Sequence, residues 1–87
     1  MSLADDLANK LAARVIAHVE KTGDEDIITI MGQTLGDSSQ TLQEAFVTSV
    51  RVQRAAIRAD RLLKKRTADI ESGAVKATDS RRARSGD

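Results

Sequence analysis

From Ser39 to Ser72 the chain runs without a Pro or a Gly. A segment of that length with no helix breaker, and with apolar residues on a seven-residue rhythm, is confined to a long amphipathic helix. One seam reads Leu42, Ser49, Ala56, Leu63 and Ile70, and the interleaved seam reads Ala45, Val52, Ala59 and Arg66. A straight helix drifts by about 20° per heptad against such a repeat, so a seam held this long calls for coiled-coil-like packing. A helix over 40–71 is roughly 50 Å long at about 1.5 Å per residue. Thr41 and Glu44 have the spacing of a capping box at its start, with Asp37 an alternative cap.

Two shorter helices are expected ahead of it. Ser2 is placed to cap the first, with Asp5 and Asp6 in its opening turn. Leu3, Leu7, Leu11, Val15 and Val19 form its apolar row, Lys21 suits its C-terminal end, and Gly23 is a natural left-handed cap. This predicts a helix over 3–21. Asp24, Glu25 and Asp26 precede the apolar run Ile27, Ile28, Ile30 and Met31. The β-branched residues alone would suit a strand, but no second strand exists to pair with it. Three acids at a helix start and Gly36 at its end predict a short helix over 25–35. The fold class is therefore all-α: a small helical bundle with two shorter helices and one long one, a single domain over 1–72, and a disordered basic tail over 73–87.

Composition bears on how such a bundle can be stable. The chain has 87 residues, Phe46 as its one aromatic residue, and no Cys. Much of the apolar content is Ala, so a lone copy buries little area per residue. Phe46, Val50 and Ile57 add a further apolar row beside the main seam, and a helix covered on several sides needs more than one neighbour. The expectation is a homodimer paired through the long helix, with Leu42, Phe46, Ser49, Val52, Ala56, Ala59 and Leu63 at the interface.

Gly32, Leu35, Gly36, Ser38, Ser39, Thr41 and Leu42 carry a second pattern. Gly32 supplies a small residue where two helices meet, Gly36 a residue tolerant of positive φ at the turn, and Leu35, Leu42 and Ala45 a shared core. Over about residues 27–46 this segment resembles the helix-turn-helix family of DNA-binding proteins. The resemblance implies that the long helix enters the major groove through its N-terminal residues, with Gln40 and Gln43 reading bases and Ser39 and Thr41 reaching phosphates. Asp37 and Glu44 depart from that pattern, and no Arg or Lys lies between Lys21 and Arg51. Two helices joined by a Gly-capped turn would need the same glycines.

Charge is unevenly spread. Residues 1–44 hold three basic and eight acidic side chains, whereas residues 45–87 hold eleven basic and five acidic. Arg51, Arg54, Arg58, Arg61 and Lys65 recur at spacings of three and four, which aligns them as one stripe opposite the Leu42–Ile70 seam. Such a stripe suits double-stranded DNA, an acidic protein surface, or solvation of an exposed helix face. His18, on the apolar side of the first helix, is expected to pack and to meet the last carbonyls.

No nucleophile–base pair, metal-ligand cluster or phosphate loop can be built from one His and scattered Ser residues, so neither an enzyme nor a cofactor is expected. No apolar run is long enough for a membrane span and no signal sequence is evident, which suggests a cytoplasmic protein. The reading that gathers these features is a small DNA-associated regulatory protein. The alternative is a helical adaptor or inhibitor that acts by binding another protein.

Overall fold

The computed structural model describes residues 2–76. Among them the chain is all-α, with α1 at Leu3–Thr22, α2 at Asp26–Ser38 and α3 at Gln40–Glu71. α1 begins as its sequence requires. Ser2 is extended, and its Oγ accepts from the Asp5 backbone N–H at 3.1 Å. It ends at Gly23, which adopts φ 77° and returns its N–H to the Val19 carbonyl at 2.7 Å. A side chain at that φ would be strained, so glycine ends the helix without that strain.

The turn after Gly23 is closed by side chains. Thr22 Oγ1 donates to the His18 carbonyl at 2.8 Å and accepts from the Asp24 N–H at 3.1 Å. His18 is half exposed, and its Nε2 lies 3.0 Å from Asp24 Oδ2. The expected packing of His18 against terminal carbonyls is thus replaced by a carboxylate partner, because the left-handed turn folds Asp24 back over the end of α1.

α2 departs from its expected bounds. It continues through Gly36 to Ser38, and positive φ among the described residues is confined to Gly23 and Gly73. Ser39 closes the helix three residues after Gly36 by adopting φ −157° and ψ 108° and donating its N–H to the Leu35 carbonyl at 2.8 Å. The same residue starts α3, since its Oγ accepts from the Leu42 N–H at 3.1 Å. One residue therefore ends one helix and caps the next. Thr41 lies inside the first turn of α3 and not at the cap expected for it.

The chain divides into two compact units, the first through Ala56 and the second from Ile57. The first holds α1, α2 and the N-terminal part of α3 around Ala8, Ala12, Val15, Phe46 and Val50. Phe46, Ala8 and Ala12 have no exposed surface. Two alanines on α1 leave room for the one aromatic ring of α3, which is how an Ala-rich chain packs closely. Leu11, Val19, Ile28, Met31, Leu35 and Leu42 close around this centre.

The second unit, from Ile57, comprises the rest of α3 and its C-terminal turn. Gly73 adopts φ 81° and donates to the Ile70 carbonyl at 3.1 Å, and the Val75 N–H returns to the Asp69 carbonyl at 3.1 Å. Residues 73–76 of the expected disordered tail therefore finish the helix. The remainder of that tail, with Arg81, Arg82 and Arg84, lies outside the described residues.

Removing the one aromatic ring leaves a cavity that two alanines cannot fill. Phe46→Ala should cost about 3–5 kcal/mol, a large share of what so small a domain possesses. Urea unfolding followed by circular dichroism should show the first unit lost or its midpoint lowered severely. Exposed Thr48→Ala, two residues from the ring in sequence, should stay within about 0.5 kcal/mol of the parent.

Candidate functional site

α3 carries most of the residues singled out in the sequence, and three sides of it differ. The side bearing Phe46 and Val50 is consumed by the core of the first unit. Next to it stands a polar clamp that no sequence pattern announces. Ser49, 6% exposed, donates from Oγ to Asn9 Oδ1 at 2.6 Å. Gln53 Nε2 donates to Ser49 Oγ at 2.9 Å and to the Asn9 carbonyl at 3.0 Å. A buried hydroxyl with both roles satisfied fixes the register of α1 against α3. Phe46, expected at a dimer interface, is thus spent inside the chain, and Ser49 is nearly buried with its hydrogen bonds satisfied within the chain, at the floor of the groove between α1 and α3. The seven-residue pattern cannot separate a face buried internally from one left for a partner.

The heptad seam beside them is largely uncovered. Leu42 and Ala45 are half-buried at its start, but Val52 is 62% exposed and Leu63 64% exposed, and Ala56 and Ala59 are exposed between them. In the first unit the seam borders an open groove of about 740 Å³ between α1 and α3. Ala45, Ser49, Val52 and Asn9 line it, together with the acidic residues Asp5 and Glu44.

The third side carries the cations, and acids meet several of them. Arg54 is half-buried and forms a two-pronged pair with Glu25, both bonds 3.1 Å. Lys65 pairs with Asp69 at 2.6 Å and Lys64 with Asp60 at 2.9 Å. Arg61 is exposed and engaged as well. Arg51 and Arg58 are exposed and make no ion pair among the described residues. The stripe is therefore partly neutralised. Helical spacing explains part of this, since Asp60 and Asp69 each lie four residues from their lysines. The reach of Glu25 to Arg54 needs the tertiary fold.

The residues expected to read DNA have partners of their own. Gln40 Nε2 donates to Glu44 Oε1 at 3.1 Å. Gln43 is half-buried and lies over Gly36, where an added Cβ would meet its amide nitrogen at 2.7 Å. Ser39 is committed to the two helix ends it joins. No protein-family model matches the chain. Nor does any curated protein or solved structure match it. Among the described residues no group of three His, Asp or Glu side chains is placed to hold a metal ion, and no helix is long and apolar enough to cross a membrane.

The glycines give a sharp check on the α2–α3 connection. Both Gly32 and Gly36 are helical; a Cβ on Gly32 meets nothing within 4 Å, and the atoms nearest to one on Gly36 belong to the flexible end of Gln43. Alanine at either position should then stabilise by about 0.5–1 kcal/mol through its helix propensity. A turn requiring positive φ at Gly36 would instead be destabilised by Gly36→Ala, and thermal melts of the two variants tell these apart.

Proposed function

We propose that this protein is a non-enzymatic helical adaptor that works by pairing the seam of α3 with another helix, first of all that of a second copy. The observation that carries this reading is the exposed heptad seam: Val52, Ala56, Ala59 and Leu63 follow a repeat that serves helix pairing, yet lie open to solvent. Exposed apolar residues aligned along one helix face favour a protein interface over simple solvation. A small, Ala-rich core adds a thermodynamic motive, because pairing contributes buried area that the first unit lacks.

Sedimentation equilibrium tests the reading directly. The parent should behave as a dimer at micromolar concentration, and Val52→Glu combined with Leu63→Glu should leave a monomer with an intact far-ultraviolet helical signal. A parent that stays monomeric throughout would remove the pairing reading.

A DNA-associated regulatory role is the second reading, favoured by exposed Arg51 and Arg58 without ion pairs among the described residues. It predicts that a labelled random duplex binds and that binding weakens steeply between about 50 and 200 mM salt. Arg51→Gln with Arg58→Gln should flatten that dependence, as read by fluorescence anisotropy. Salt-independent or absent binding would leave only the adaptor reading.

A further inference from the structure

Resting on the pairing reading, the two copies have a determinate orientation. We infer that the long helices pair antiparallel, with the segment Ala59–Ile70 of a second copy laid in the groove between α1 and α3, its Arg66 between the carboxylates of Asp5 and Glu44.

Three observations converge on this. The first is the seam itself. Reversing one helix sets the Leu42–Ile70 seam against the Ala45–Arg66 seam. About the midpoint between Ile57 and Arg58, Ala56 meets Ala59, Val52 meets Leu63, Ser49 meets Arg66 and Ala45 meets Ile70. Two alanine layers at the centre let the backbones approach, and the largest apolar side chains flank them symmetrically. Each layer pairs residues from different positions, so the match is reciprocal under a two-fold axis.

The second observation is what a parallel pair would do. There each seam residue faces its own copy, so Arg66 would meet Arg66 inside the seam. Two guanidinium groups brought together as water is removed repel each other and leave charge uncompensated. The antiparallel layer sets Arg66 over Ser49, which is already satisfied by Asn9 and Gln53 and needs nothing from it.

The third is charge. Arg66 is exposed and carries no ion pair among the described residues, while the groove that would receive it contains Asp5 and Glu44. Residues 57–76 hold six basic and three acidic side chains, and residues 1–44 three basic and eight acidic. Antiparallel pairing sets each basic segment beside the acidic helices of the other copy. It also accounts for Arg66 at a seam position where an apolar residue would otherwise stand.

The chain has no native Cys, so single thiols report orientation cleanly. Val52→Cys and Leu63→Cys variants, both at exposed positions, are oxidised separately and as an equimolar mixture after exchange. The antiparallel pair predicts a disulfide between the two variants in the mixture and little within either alone. Self-linking of each variant with no mixed product would mean a parallel dimer, overturning this inference while leaving the pairing reading intact. A monomer in sedimentation, with no linked species, would overturn both. Charge reversal supplies a second arm: Arg66→Glu should raise the dimer dissociation constant at least about tenfold, because the contact occurs twice. Adding Glu44→Arg should restore much of the loss. No response to Arg66→Glu would overturn the placement of Arg66.

Discussion

The burial of Phe46 in one core with Ala8 and Ala12 is the interaction on which the first unit depends. With one aromatic ring in the chain, no other residue can fill the centre of a three-helix core, and only small partners on α1 admit it. Everything else in that unit follows from the approach this contact allows. It brings Ser49 to Asn9, sets Gln53 across both, and carries Arg54 to Glu25. The apolar contact contributes the larger share of free energy, whereas the polar clamp removes alternative registers.

That arrangement uses only one side of α3. A helix in a bundle this small has too few neighbours to be covered all round, so its seam is left uncovered when the core is complete. Leu62, Leu63 and Val52 on the surface are the consequence. The cations occupy a separate side, where acids four residues away or at the start of α2 temper their field. A helix with a core side, a seam and a charged side can hold its own fold and engage a partner without exchanging one contact for the other.

Much of the fold was legible because its signals were local. Ser2, Gly23 and the acids of the first turns act within one turn of helix, and their roles follow from backbone chemistry alone. The end of α2 was misread for the opposite reason. Gly36 permits a turn but does not require one, and Ser39 terminates the helix through a carbonyl four residues back. The same ambiguity underlies the helix-turn-helix resemblance, since glycines at those positions are equally compatible with a continuous helix. His18 was misplaced because its partner Asp24 is reached only across the left-handed turn.

The sequence by itself determined the number and order of the helices, the length of the third, and the heptad seam, because periodicity and breakers are written along the chain. Which side of α3 would be buried was decided by the tertiary structure. Phe46, Ser49 and Val52 are equally plausible interface residues in a periodic pattern. Only the approach of α1 assigns the first two to the interior and leaves the third exposed. Likewise, spacing aligned the cations, but their neutralisation by Glu25 depends on where α2 comes to rest. Local chemistry fixes elements, and the competition among faces for a limited number of neighbours fixes surfaces.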